Sequence, residues 1–151
     1  MRRAGEGDLD GIFQVINMNL DDYFSPDVIN FFYTQWPGGQ LVAVDPFGRV
    51  VGALCGARLA SGAANISLLA VDSAVRNTGV GTQLLDSFRR ICMMEGLGTI
   101  QLEVRDTNVA AMRFYERHGF VVTEHVQGLY SDGGSGYRMV SRAMEARVIS
   151  S

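Results

Sequence analysis

Apolar residues recur along this chain with two periods, one near 3.6 and one near 2, and the switches between them divide it into eleven elements. Leu9, Ile12, Phe13 and Ile16 share a helical face behind Asp8, which is placed as an N-cap, and that helix ends near Met18 to Leu20. Ser25-Pro26 opens a second helix with proline at its first position. Its residues Val28, Ile29, Phe31 and Phe32 are expected to face the core, and Trp36-Pro37-Gly38-Gly39 stops it. The third helix, the longest, is predicted over 80–95 and ends at Gly96 and Gly98. The fourth is predicted over 107–118, with Asp106 or Thr107 as its cap and Gly119 at its end.

Between the helices the pattern is that of strands. A short one is expected over 2–4. Residues 41–44 and 50–59 form a hairpin about Pro46-Phe47-Gly48, and Gly52 and Gly56 inside the second strand indicate bulges or a close approach of another group. Ser61-Gly62-Ala63 turns into an apolar strand over 66–71. In the strand over 99–104, Ile100, Leu102 and Val104 alternate with Gln101, Glu103 and Arg105. The last two strands, 120–130 and 137–143, are joined by Ser131-Asp132-Gly133-Gly134-Ser135-Gly136. The order βααβββαβαββ, with no internal repeat or linker, predicts a single α/β domain over 1–151, built as one mixed sheet with helices on both faces.

Composition narrows the function. With 151 residues, 47% of them hydrophobic, the chain can bury one ordinary core. A net charge of −3 and the lack of a basic run argue against general nucleic-acid binding. No apolar run reaches membrane-spanning length and no signal peptide is visible, so no membrane partner is expected. Cys55 and Cys92 sit in apolar surroundings and read as buried free thiols of a cytoplasmic protein, and His118 and His125 are not at ligand spacing with them, so no metal is expected.

The chemistry-bearing stretch is Arg76-Asn77-Thr78-Gly79-Val80-Gly81-Thr82, between the strand that ends at Val71 and the long helix. Two glycines two residues apart let backbone N–H groups converge, and the helix start adds unpaired N–H groups and its positive dipole end. The result is an anion cradle. It is not a Walker loop, because no Lys-Ser or Lys-Thr follows Gly81, nor a dinucleotide fingerprint, because Leu84 stands where a third small residue is needed.

The loop R-x-x-G-x-G resembles the acetyl-CoA pyrophosphate loop of the GNAT superfamily of N-acetyltransferases. The block LEVRDTNVAAMRFYERHGF, residues 102–120, is similar to that superfamily's second motif and particularly to its protein N-terminal branch. The hairpin YSDGGSGYRM, residues 130–139, resembles the substrate-covering hairpin of N-terminal α-amino acetyltransferases, with Ser135 and Gly136 where that pattern has Asp and Ala. Asn19-Leu20-Asp21, Phe31-Phe32-Tyr33 and Trp36-Pro37 are similar to the catalytic subunit of the NatB complex, with a shorter intervening segment and no Thr-Glu pair, while RimI-like enzymes match the two central blocks.

The resemblance implies a mixed, mostly antiparallel seven-stranded sheet with about four helices, and acetyl transfer from acetyl-CoA to the α-amine of a protein or peptide N-terminus. It implies cofactor contacts at Leu69, Ala70 and Val71, at the loop residues Arg76, Asn77, Thr78, Gly79, Val80, Gly81 and Thr82, and at Asn108 and Tyr115. Leu20, Asp21, Tyr23, Tyr130 and Tyr137 are the expected substrate side. Glu103 is the expected general base and Tyr115 the acid that protonates the thiolate, with an auxiliary subunit or the ribosome as a further partner.

An α-amine with pKa near 8 is already partly neutral at pH 7, whereas lysine near 10.4 is about a hundredfold worse placed, so a modest base suffices. The plainer alternatives remain open: Asn108 as a helix cap, Tyr115 as a core aromatic, and Glu103 as a solvated partner of Arg105 or Arg117. So do a small-molecule amine (a polyamine or aminoglycoside) as acceptor and a non-catalytic acetyl-CoA-binding module.

Overall fold

The computed structural model describes residues 1–144, so the last seven residues of the expected 1–151 domain lie outside the described part. Seven strands, β1 (Arg2–Arg3), β2 (Gln40–Val44), β3 (Val50–Arg58), β4 (Ala64–Val71), β5 (Thr99–Arg105), β6 (Val121–Val126) and β7 (Gly136–Arg142), form one sheet in the order β1-β2-β3-β4-β5-β7-β6. Every neighbouring pair is antiparallel except β4 with β5. Helices α1 (Leu9–Asn19) and α2 (Pro26–Gln35) cover one face, and α3 (Val80–Met94) and α4 (Val109–Arg117) the other.

Because both faces are covered, the central strands are apolar on both sides. On β3, Leu54 joins the core under α3, while Ala53 and Cys55 on either side of it join the core under α1. The β4 side chains alternate likewise, until an irregularity intervenes. Leu68 opposes Cys55 and Ile66 opposes Gly56, so Ser67 is an extra residue bulged out of β4. The bulge shifts the face: Ile66 belongs to the α3 core and Leu68 to the α1 core. Pairing of β4 with β5 stops at the same point, at Ile66 opposite Leu102. Beyond it the strands part, and the β5-facing edge of β4 keeps backbone groups without a strand partner.

Several local expectations are corrected by side-chain competition. Asp8 stands before α1, but its carboxylate turns back to accept from the Gly5 N–H at 2.7 Å and from Arg2 at 2.6 Å instead of capping the helix. Val28 and Phe31 are exposed, because α2 lies at the rim and only Ile29 and part of Phe32 reach the core. The fourth helix begins at Val109, two residues later than predicted, since Asn108 is the N-cap and its Oδ1 accepts from the Ala111 N–H at 3.1 Å. Strand β6 ends at Val126, and Gly128, at φ +62°, starts a long loop to β7.

One buried cation holds the far side together. Arg89 of α3 lies over the Phe120 ring and donates to Ser141 Oγ at 3.0 Å, to the Arg142 carbonyl and to the His118 carbonyl. Gly56 is confined by its neighbours: a Cβ there would lie 2.5 Å from Phe88 Cε1 and 2.8 Å from the Gly39 carbonyl oxygen. Gly56→Ala is therefore expected to cost about 1–3 kcal/mol, since backbone on one side cannot yield, as read from the midpoint of urea unfolding. An unchanged midpoint would show that the bulge region can relax.

Candidate active site

Two adjoining cavities occupy the gap where β4 and β5 separate. The larger, about 650 Å³, is lined by Leu69, Ala70 and Val71 of β4, by Arg76, Asn77, Gly79, Val80, Gly81 and Thr82 of the loop and first turn of α3, and by Asn108, Phe114 and Tyr115. The smaller, about 190 Å³, is lined by Phe24, Ile66, Leu68, Glu103, Arg105 and Tyr130, among others. Leu20, Asp21, Leu69, Asn108, Ala111 and Tyr115 line both.

The larger cavity has the chemistry of an anion site. Asn77 and Gly79 adopt left-handed backbone conformations, with φ of +64° and +92°. Gly79 is the N-cap of α3 and has no side chain to satisfy the first-turn N–H groups, so those of Val80, Gly81 and Thr82 are left for a ligand. Arg76 lines the cavity but is partly committed: its Nε donates to the Val71 carbonyl at 3.2 Å and its Nη2 to Asn19 Oδ1 at 3.1 Å. It thereby ties the loop to the end of α1. Thr78 turns its hydroxyl to the Val75 carbonyl and, among the described residues, is not part of the lining.

Thr82 Oγ1 lies 3.0 Å from Nε2 of His118, whose Nδ1 lies 2.7 Å from the Phe114 carbonyl. A carbonyl only accepts, so Nδ1 carries hydrogen and, in the neutral ring, Thr82 donates to Nε2.

Tyr115 stands at the junction of the two cavities. Its ring is buried edge-on between Phe114 and Phe120, with centroids 5.2 and 5.5 Å away. Burial pushes its phenol well above the ordinary tyrosine value, so it holds its proton at any physiological pH. Among the described residues its hydroxyl has no hydrogen-bond partner. Asn108 spends its Oδ1 on capping α4, which leaves the amide NH₂ as a donor beside the cavities.

On the smaller cavity, Glu103 Oε2 accepts from Arg138 Nη2 at 2.7 Å, and Arg138 also pairs with Glu124 at 2.6 Å. Its partner is thus neither Arg105 nor Arg117, because Glu103 and Arg138 are directly opposed in the β5–β7 register. Arg105 instead binds Asp22 through two nitrogens and Asp132 at 3.1 Å, with its guanidinium 4.0 Å over the Tyr130 ring. That cluster joins the loop after α1 to the β6–β7 loop above the cavity.

The expected substrate side is only partly assembled. Leu20, Asp21 and Tyr130 line the smaller cavity, whereas Tyr23 and Tyr137 line neither among the described residues. Tyr137 opposes Val104 on the buried face and stacks on His125 at 4.6 Å, and Tyr23 is 70% exposed against Phe13. Residues that sequence reasoning missed are Asn19, Asp22, Arg105, Phe114, His118 and Arg138. Only Phe114 and His118 carried a usable signal, their i, i+4 spacing with each other on the face next to Ala111.

Both cysteines are free and buried, and burial pushes each thiol up to about 12, so neither supplies a thiolate near neutral pH. Among the described residues no group of His, Cys, Asp or Glu side chains could hold a metal ion, and no helix is long and apolar enough to cross a membrane.

Comparison with known proteins gives this geometry a context. Residues 11–120 match the acetyltransferase (GNAT) family. N-alpha-acetyltransferase 30 of Schizosaccharomyces pombe is 32% identical over 136 residues, which cover 87% of this chain and 90% of that protein. The crystal structure of Ard1 from Thermoplasma volcanium superposes with a TM-score of 0.89 at 32% identity, covering 95% of this chain and 97% of that one. A chain of the NatC complex bound to Gag peptide and CoA shares the fold, with a TM-score of 0.82 at 24% identity over 91% and 92% of the two chains.

A Cβ at Gly81 would sit 3.3 Å from Phe114 Cζ. Gly81→Glu places bulk there and a negative charge among the first-turn N–H groups. CoA affinity, measured by calorimetric titration, is expected to fall by about a hundredfold or more, a loss near 3 kcal/mol. An unchanged Kd would remove the anion role of the loop.

Proposed function

The chain belongs to the acetyltransferase (GNAT) family, and from that premise we propose that it moves the acetyl group of acetyl-CoA to the free α-amine of a protein or peptide N-terminus. The observation that carries this reading is the pair of adjoining cavities that meet at Tyr115, one with an anion cradle and one closed over by two polypeptide loops. Names of relatives such as N-alpha-acetyltransferase 30 support the same acceptor.

The cofactor roles follow from the lining. The uncapped N–H groups of Val80, Gly81 and Thr82 bind the pyrophosphate, Asn108 donates to the pantetheine arm, and the free edge of β4 at Leu69 to Val71 orients the thioester. Tyr115, kept protonated by burial, donates a hydrogen bond to the departing CoA thiolate, which stabilises the developing charge without requiring the phenol to ionise.

The acceptor cavity favours a peptide over a polycation. Its walls include the apolar side chains of Leu20, Phe24, Ile66 and Leu68, and most of its charges already neutralise one another as Glu103–Arg138 and Asp22–Arg105–Asp132. Glu103, expected from the sequence to act as base, has its carboxylate engaged by Arg138. Its proposed part is a fixed negative charge that draws the incoming ammonium and hands on a proton through water. An auxiliary subunit or the ribosome is the proposed further partner, in keeping with the complex in which the NatC relative was solved. The two reduced, buried thiols support a cytoplasmic location.

Incubation with acetyl-CoA and a panel of N-terminal peptides is expected to yield acetylated peptides by mass spectrometry. Consumption of acetyl-CoA with spermidine or an aminoglycoside but with no peptide overturns the acceptor assignment. Tyr115→Phe is expected to lower kcat by about tenfold or more while acetyl-CoA affinity changes less than about threefold, the signature of a group that acts in the transition state. Wild-type turnover in that variant would remove the donor role.

A further inference from the structure

We propose that His118 is a positioning residue of the cofactor cradle: in its protonated form it frees the Thr82 hydroxyl for the CoA pyrophosphate, so that CoA binds with uptake of a proton. The proposal rests on the reading of residues 76–82 as the pyrophosphate site.

His118 is buried and stands as the C-cap of α4, directly after Arg117. Its Nδ1 lies 2.7 Å from the Phe114 carbonyl, one turn back, and its Nε2 lies 3.0 Å from Thr82 Oγ1. The Phe114 ring packs against the imidazole at 4.4 Å, and Arg89 of α3 donates to the His118 carbonyl. Backbone and ring are thus both held, with one nitrogen on a carbonyl and the other on a hydroxyl.

Thr82 is the third residue of α3 and, like His118, lines the larger cavity. Its hydroxyl has a single proton, and the ring decides where that proton goes. The Phe114 carbonyl keeps hydrogen on Nδ1, so in the neutral ring Nε2 accepts and Thr82 donates to it. The hydroxyl then turns only lone pairs to the cavity, which phosphate oxygens cannot use. Protonation reverses the bond. Nε2–H donates to Thr82 Oγ1, and the hydroxyl proton is released to a phosphate oxygen beside the N–H groups of Val80, Gly81 and Thr82. Bonds assisted by charge replace a neutral one on each side of Thr82.

The charges around the ring make the ligand the trigger. Arg76 and Arg117 line the same cavity, Asp86 and Arg89 stand on α3, Glu116 and Tyr115 on α4, and Arg142 at the end of β7. A pyrophosphate brings two negative charges among these groups, and they favour a proton on a ring one hydroxyl away. Imidazole is the side chain that ordinarily changes charge between about pH 5 and 8, so the uptake falls in the working range. The sign follows from linkage: a ligand that prefers the protonated ring binds more weakly as pH rises through its titration.

Calorimetric titration of the full-length protein with CoA, at about pH 7 in buffers of different ionisation heat, counts the protons taken up. The wild type is expected to take up about half a proton more than His118→Gln, whose amide still reaches Thr82 but does not titrate. Between about pH 6 and 8 the wild-type affinity falls about fivefold more than that of the variant. Thr82→Val is expected to weaken CoA binding about tenfold at the acid end and to lose that slope, and Thr82→Ser to restore both with the hydroxyl. Nitrogen NMR spectra of the wild type, which need no variant to fold, are expected to show His118 Nε2 moving toward the shift of a protonated ring nitrogen as CoA is added. His125, paired with Asp106 and lining neither cavity, is the internal control. Equal proton uptake in wild type and His118→Gln, an unmoved Nε2 signal, or wild-type affinity and slope in Thr82→Val overturns the proposal. A wild type that binds CoA without proton uptake refutes the proposal alone, whereas one that binds no CoA refutes the cradle reading as well.

Discussion

The extra residue in β4 is the constraint on which the site depends. Ser67 has no partner on β3, and its insertion rotates the strand so that Ile66 and Leu68 enter different cores. A regular β4 would continue its ladder with β5 and fill the space now occupied by the cavities. With the bulge, pairing ends at Ile66 and Leu102 and the rest of both strands diverges. On the unpaired edge of β4 the Val71 carbonyl accepts from Arg76, and the other backbone groups there have no strand partner. Gly56, opposite the bulge, allows the close approach of Phe88 and of the Gly39 carbonyl that holds the distortion in place.

Onto this opening the two helical faces deliver different chemistry. From the α3 side come an uncapped helix start, whose N–H groups suit negative charge, and a buried phenol held in its protonated form. From the α1 side comes a short acidic loop, fastened by Asn19 to the cofactor loop and by Asp22 to Arg105. Arg105 is the hub of the acceptor side, because one guanidinium meets Asp22, Asp132 and the Tyr130 ring and so couples two loops far apart in sequence. Charge within this part of the molecule is mostly neutralised internally, which suits a neutral amine nucleophile and an uncharged chain behind it.

The anion loop was legible because its signal is local: Gly79 and Gly81 after an apolar strand and before an amphipathic helix describe one continuous stretch of backbone. The order of seven strands and four helices was legible for the same reason, each element writing its own period. The errors came where a side chain had two competing uses. Asp8 turned back to Arg2 and the Gly5 amide, and Asn108 took the cap expected of Asp106 or Thr107. Tyr137, expected beside the substrate, stands opposite Val104 of the acceptor-cavity wall and packs against the core, lining neither cavity itself among the described residues.

What the sequence determined by itself, then, is everything carried by neighbours in the chain: the element order, the glycine-built cradle, the helix that presents Tyr115, and the family these motifs belong to. What only the tertiary structure decided is which polar groups are free and which are spent. Glu103 and Asp21 look alike in sequence. Strand pairing puts Arg138 against the first, while the fold carries the second, unpaired, to the junction of the two cavities. Ion pairing across a sheet depends on register between strands about 35 residues apart, and no local period encodes register.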